Sequence, residues 1–153
     1  MLMIRKATIQ DVKEIHAILA LYAKEGILLG RSLSDLFDQV RDFFISIDQD
    51  ENTLSGAGGL HICWEDIAEI RSIAVKEKYR GKGVGKELVN ACIQEAKQLG
   101  IKRVFVLTYV PEFFKNLGFY PVDKSVLPHK VWADCINCIK FPDCDEYSLM
   151  KDI

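Results

Sequence analysis

The stretch from Glu69 to Thr108 constrains the fold more than any other part of the chain. A β-branched run, EIRSIAV (69–75), leads into YRGKGVGKEL (79–88), which holds three glycines and the basic side chains Arg80, Lys82 and Lys86. Val84, Leu88, Val89, Cys92, Ile93, Ala96 and Leu99 then recur at helical spacing, and Gly100 stops the helix. KRVFVLT (102–108) follows as a strand of the buried type. Strand, helix and strand in this order place the two strands side by side and parallel, because the crossover packs back onto its own sheet. The fold class is therefore mixed α/β.

The remaining elements extend that sheet. LMIRKA (2–7) reads as a strand. Thr8 with Asp11 forms a capping-box pattern ahead of a helix carrying Val12, Ile15, Ile18, Leu19 and Tyr22, which ends at Gly26. Ser32 and Asp35 cap a second helix, predicted to align Leu33, Leu36, Phe37, Val40 and Phe44 on one face. FFISI (43–47), LSGAGGLHICW (54–64) and IAEIRSIAV (67–75) are strand-like runs parted by short polar links, which predicts an antiparallel meander. PEFFKNL (111–117) is a short helix opened by proline, and GFYPV (118–122) and EYSLM (146–150) supply the last strands. With 153 residues, 49% of them hydrophobic, the expectation is one domain over 1–153. No internal repeat or low-complexity segment interrupts it.

Charge and cysteine usage narrow the setting. A net charge of −2 supplies no global field toward nucleic acid or an anionic membrane, so neither is an expected partner. The start MLMIRKATIQDV has no basic region followed by an apolar run, and no apolar stretch reaches spanning length, so the expected location is cytoplasmic. The five cysteines are odd in number, and Cys63 and Cys92 sit inside element patterns, which predicts reduced thiols.

The glycine loop can now be read for its chemistry. A helix N-terminus presents unpaired N–H groups and partial positive charge, and glycines let an anion approach the backbone without Cβ collisions. Arg80, Lys82 and Lys86 add full charges suited to a pyrophosphate. The competing reading is a glycine-rich surface turn with solvated basic residues. A G-x-x-x-x-G-K-[ST] loop is absent, and so is the G-x-G-x-x-G spacing with its distal acid.

RGKGVG (80–85) matches the R/Q-x-x-G-x-G/A motif of the GNAT acetyltransferases, and FFKNLGF (113–119) is similar to that family's FYEKLGF. With the order of elements, the chain resembles that family over residues 3 to about 125. GILLGRSLSDL (26–36), AEIRSIAV (68–75) and VFVLTYVPEFFKNLGF (104–119) are similar to the acetyltransferase domain of N-acetylglutamate synthases, especially the short single-domain kind. Related small-amine acetyltransferases share much of this pattern.

The resemblance implies a mixed sheet of about six to seven strands with a splayed central parallel pair and about four flanking helices. It implies acetyl-CoA as cosubstrate. Arg80 and the amides of Gly81, Lys82, Gly83, Val84, Gly85 and Lys86 would hold its pyrophosphate. The backbone of Ile73, Ala74 and Val75 would pair with the pantetheine arm as another strand would. A bulge in IRSIAV would splay it from VFVLT and free N–H groups to polarise the thioester carbonyl. Phe114 stands beside the cofactor where the family's usual general acid is a tyrosine, so either CoA leaves as the thiolate or another group, Tyr109 or a water, protonates it.

Acyl transfer to an amine requires the neutral amine, and Glu69, in the half-apolar run IAEIRSIAV, is the expected base. Its alternative is an exposed strand residue alternating with Arg71 and engaged in a cross-strand ion pair. For an acidic acceptor, Arg31, Arg71 and Arg103 are the nearby guanidinium groups, with Arg31 preferred because it matches an arginine of the synthase pattern, its alternative being a solvated arginine of the helix-capping region. Thr108 either lines the same cleft or is structural. The implied activity is N-acetylation of an amino acid, L-glutamate first, in arginine biosynthesis. Its alternatives are another small amine, or acyl-CoA sensing without turnover. No metal is expected, although His129, Cys135, Cys138 and Cys144 have a spacing that zinc or a redox dithiol would suit. His16 and His61 read as structural, the partner is a small-molecule amino acid, and a homodimer is left open.

Overall fold

The computed structural model describes residues 1–127 and 146–153, so the His129, Cys135, Cys138 and Cys144 set lies outside the described residues. Seven strands form one sheet: β1 (Leu2–Lys6), β2 (Phe43–Asp48), β3 (Thr53–Ile62), β4 (Ile67–Val75), β5 (Arg103–Thr108), β6 (Tyr120–Pro121) and β7 (Tyr147–Asp152). The helices are α1 (Val12–Lys24), α2 (Leu33–Asp38), α3 (Val84–Gln98) and α4 (Pro111–Lys115). Spatial order is β1-β2-β3-β4-β5-β7-β6. The pair β4–β5, joined through α3, is parallel, as the strand–helix–strand pattern predicts. β1 to β4 form the antiparallel meander.

Local signals explain most boundaries. Thr8 and Asp11 make their capping box, and it opens a single 3-10 turn (Ile9–Asp11) before α1 begins. Arg5 clamps Asp11 at 2.8 Å. Gly26 and Gly100 take φ of +74° and +87° just beyond α1 and α3, a region glycine enters without a Cβ penalty. The Ser32 hydroxyl accepts from the Asp35 N–H at 3.1 Å and caps α2.

The second helix is shorter than its sequence pattern predicts. It stops at Asp38, Val40–Asp42 is a separate 3-10 turn, and Phe44 belongs to β2. Residues 40 and 44 fit both a helical spacing and a strand alternation. Hydrogen bonding to β1 and β3 decides between them, placing Phe43 in the core against α1 and Phe44 on the opposite face.

Helices cover both faces of the sheet. Val12, Ile15, Ile18 and Leu19 of α1 and Leu36 of α2 pack on Phe43, Ile45, Leu54, Ala57 and Ala74. On the other face Val89, Cys92, Ile93 and Ala96 of α3 and Phe114 of α4 pack on Leu60, Ala68, Ile70, Val104 and Val106. The glycines of β3 permit this approach: a Cβ on Gly56 would stand 3.1 Å from both Leu88 Cδ1 and Val84 Cγ1 of α3. Cys63 and Cys92 are buried, the Cys63 thiol lies 3.5 Å from the His61 carbonyl oxygen, and burial pushes the Cys92 thiol up to about 12. Among the described residues, no helix is long and apolar enough to cross a membrane.

Two irregularities open the middle of the sheet. β4 and β5 pair from Ile67–Arg103 only as far as Glu69–Phe105. The β3–β4 register then shifts between Ala57 and Gly59, and Ser72 sits in the left-handed region at φ +60°. The extra residue reverses the strand's alternation, so that Ile70 and Ile73 both face α3 while Ala74 faces α1. Beyond this bulge β4 leaves its parallel partner.

Candidate active site

A cleft of about 340 Å³ opens where β4 and β5 part. Ile70 and Val106 form its apolar floor, Phe113 and Phe114 one wall, and Tyr22 and Leu28 the other, with Gly85 and Arg80 at one end. Phe114 is buried and meets Phe113 and Phe119 edge to face, at ring centroid distances of 4.9 Å and 5.4 Å. It carries no hydroxyl and serves as wall.

The glycine loop lies at that end of the cleft. Gly81 and Gly83 have φ of +78° and +81°, and a Cβ on either would meet nothing within 4 Å, so space above the loop is open. Gly83 is the residue before α3, and no side chain caps that helix start. Gly85 is held differently: its Cβ would stand 3.1 Å from Phe113 Cζ. The Val84 side chain is buried with Leu88, so its contribution to any ligand is its backbone. The loop's beginning is pinned by the Tyr79 hydroxyl, which donates to Asp48 at 2.6 Å and holds that carboxyl below its ordinary range. Open backbone amides, an uncapped helix start and nearby cations suit a phosphate group.

Arg80 turns back toward the sheet. Its Nε donates to the Val75 carbonyl at 3.2 Å, its guanidinium lies 4.9 Å from the Tyr22 ring centre, and Nη2 is 3.6 Å from Glu25. The Tyr22 hydroxyl donates to the same carbonyl and accepts from the Val75 N–H, both at 2.9 Å. The gap-side edge of β4 at Val75, which the sequence reading reserves for a pantetheine strand, is thus closed by a tyrosine. Tyr22 is the site residue that sequence reasoning missed, having read it as one more apolar position of α1. The available signal was its hydroxyl, which at a packed position has to find a partner.

Arg71, Ser72 and Thr108 give the cleft its polar lining, while Glu69 and Arg31 do not line it and stand behind Arg71 and Ser72. Arg31 Nε donates to Ser72 Oγ at 3.1 Å, which brings the loop before α2 onto β4. The Glu69 side chain is 12% exposed and stands 3.4 Å from Arg71 Nη1. Arg71 borders the cleft, yet it also donates to Gln39 and lies 3.9 Å from Asp42. The Thr108 hydroxyl accepts from the Val110 N–H at 3.0 Å, which shapes the turn into α4 at the cleft rim. Arg103 is elsewhere: it begins β5 at the closed end of the parallel pair and binds Asp66 at 3.2 Å. Nearness in sequence to a cleft strand misplaces it, because β5 reaches the cleft only at its other end. His61 pairs with Asp42 at 2.6 Å, as a structural histidine does. Among the described residues, no group of histidine, cysteine and carboxylate side chains is arranged to hold a metal ion.

Residues 12–120, spanning the glycine loop, the splayed strands and the phenylalanine wall, match the Acetyltransferase (GNAT) family. The chain belongs to the GNAT acetyltransferase family. It is 37% identical over 150 residues to an uncharacterized N-acetyltransferase of Chlorobaculum tepidum, covering 98% of this chain and 96% of that protein. It is 34% identical over 132 residues to the amino-acid acetyltransferase of Mycobacterium tuberculosis, covering 86% of this chain and 75% of the relative. Among solved structures it is similar to N-acetylglutamate synthase of Neisseria gonorrhoeae complexed with coenzyme A and N-acetyl-glutamate. That likeness has a TM-score of 0.89 at 27% identity and covers 99% of this chain and 35% of the other. The GNAT sheet with its splayed parallel pair is therefore the fold that the sequence reading expects.

Proposed function

We propose that this GNAT protein transfers the acetyl group of acetyl-CoA to the α-amine of an amino acid, L-glutamate before others. The observation that carries the reading is the bulge at Ser72. It parts β4 from β5 above an apolar floor, just past Glu69, the last β4 residue paired with β5, with Arg80 and Gly85 of the glycine loop lining the cleft. The amino-acid acetyltransferases and the N-acetylglutamate synthase among its relatives support the acceptor class, and the coenzyme A in the synthase structure supports the donor.

Each part then has a task. The loop amides from Gly81 to Lys86 and the start of α3 hold the pyrophosphate. The gap-side backbone of Ile73 and Val75 takes the pantetheine arm once the Tyr22 hydroxyl leaves it. The cleft excludes water around the thioester, whose carbonyl is polarised by N–H groups that the bulge releases from the β3 ladder. Glu69 takes a proton from the incoming ammonium, so that its lone pair can attack. The N–C bond forms as the C–S bond breaks, the thiolate leaves with its electron pair, and the second proton that the nitrogen sheds on becoming an amide passes to water. With phenylalanine at 114, that thiolate takes its proton from water or Tyr109. Arg31, beside Ser72, faces an acceptor carboxylate.

An acceptor panel that follows CoA release tests the reading. The expected result is fastest turnover with L-glutamate or a close acidic analogue. Faster turnover with polyamines or peptide N-termini would replace the acceptor. No turnover with any amine, despite tight acetyl-CoA binding, would point to sensing.

A further inference from the structure

The sequence reading assigns Arg71 to the acceptor, yet its surroundings leave little charge for that purpose. Its side chain is only 6% exposed. Two carboxylates flank the guanidinium, Glu69 at 3.4 Å and Asp42 at 3.9 Å, and the Gln39 amide oxygen accepts from Nη2. One cation between two anions has no net positive charge to offer a dicarboxylate. A third anion here would face repulsion in a poorly hydrated site.

The partners come from three directions, which gives the cluster a different use. Gln39 and Asp42 lie in the turn between α2 and β2, Arg71 and Glu69 share one face of β4, and His61 of β3 stands opposite Glu69 in register. His61 Nδ1 binds the same Asp42 oxygen that faces Arg71. Phe105, the β5 partner of Glu69, is apolar. The charged and titratable groups set around Glu69 include Arg71, His61 opposite it in register, and Asp42 beyond both.

We propose that Arg71 is a positioning residue for Glu69: anchored by Gln39 and Asp42, it fixes the carboxylate at the mouth of the splay and keeps it ionised, and it does not bind the acceptor. The inference rests on the acetyltransferase reading above, in which Glu69 is the base. A cation next to a carboxylate favours its charged form, so loss of Arg71 moves the titration of Glu69 to higher pH.

Arg71→Met decides between the two roles. The expected result is a kcat lower by roughly ten- to a hundredfold, the scale of a misplaced catalytic group. The KM for the amino acid should stay within about twofold, and the acid limb of the kcat/KM profile should move to higher pH. Arg71→Lys restores the acid limb but recovers kcat only in part, because an ammonium cannot span Glu69, Gln39 and Asp42 together. In a Glu69→Gln background Arg71→Met adds little further loss. Gln39→Leu, which keeps the arginine and removes one anchor, should lower kcat without raising KM, and it serves if Arg71→Met fails to fold. A rise in acceptor KM of tenfold or more with an unchanged acid limb would overturn the proposal, and so would wild-type kcat in Arg71→Met. NMR titration of the Glu69 carboxyl needs no acceptor: the proposal requires an upward shift in Arg71→Met even if no amine proves to be a substrate.

Discussion

At the scale of residues, the cleft gives different surroundings to two arginines: Arg31, which the sequence already favours for the acceptor, and Arg71. Arg31 reaches the neutral hydroxyl of Ser72, while Arg71 lies between carboxylates. Arg31→Ala should therefore raise the KM for glutamate by about tenfold or more, the loss of roughly 1.5–3 kcal/mol expected for a charged hydrogen bond, with the acetyl-CoA KM little altered. Lysine at 31 should rescue in part, since it keeps the charge without the planar fork. Steady-state kinetics at saturating acetyl-CoA measures both. An unchanged glutamate KM would place the acceptor's carboxylates elsewhere. The expectations for Glu69 and Arg31 can be formed from sequence because each sits in a motif with fixed spacing. The occupation of Arg71 is not legible, because Gln39 and Asp42 meet it across 32 and 29 positions of chain.

At the scale of elements, the end of α1 and the end of β4 are fastened together by one hydroxyl. Tyr22 satisfies both gap-side backbone groups of Val75, and Arg80 joins the same carbonyl. A pantetheine arm that pairs with β4 has to displace that hydroxyl. Tyr22→Phe keeps the ring that packs beneath Arg80 and removes the competitor. Acetyl-CoA should then bind roughly three- to tenfold more tightly, the scale of one or two net hydrogen bonds. Calorimetry measures this directly, and weaker binding by Tyr22→Phe would show that the hydroxyl contacts the cofactor instead. The helical stripe of α1 is plain in the sequence, but which end of which strand its last tyrosine reaches is set by how α1 crosses the sheet.

At the scale of the whole molecule, the glycine loop is moored to the far end of the sheet through Tyr79 and Asp48. The Asp48 carboxylate accepts from the Tyr79 hydroxyl and from the N–H groups of Asp50 and Glu51. The tyrosine hydroxyl is the chief cause of its lowered pKa. A carboxyl with a folded pKa below its unfolded value stabilises the fold above the unfolded pKa and loses that contribution as pH falls through the folded one. The melting-temperature gap between wild type and Asp48→Asn should thus be constant from neutral pH down to about pH 5, then shrink below about pH 4. A gap independent of pH would mean that the ionised carboxylate contributes nothing at that mooring.

What the sequence by itself determined was most of the elements and the position of the glycine loop. Period-two and period-3.6 patterns are local, and capping residues and glycines act within a few positions, so the strand–helix–strand unit, the meander and the glycine loop could all be read along the chain. The end of α2 could not, because Val40 and Phe44 suit two periods and only pairing with β1 and β3 selects the strand. Nor could the closed edge at Val75, the charge balance around Arg71, or the distance of Arg103 from the cleft. Each of these depends on which side chains meet across the sheet, and that meeting is decided by long-range register, above all by the extra residue at Ser72 that reverses the faces of β4.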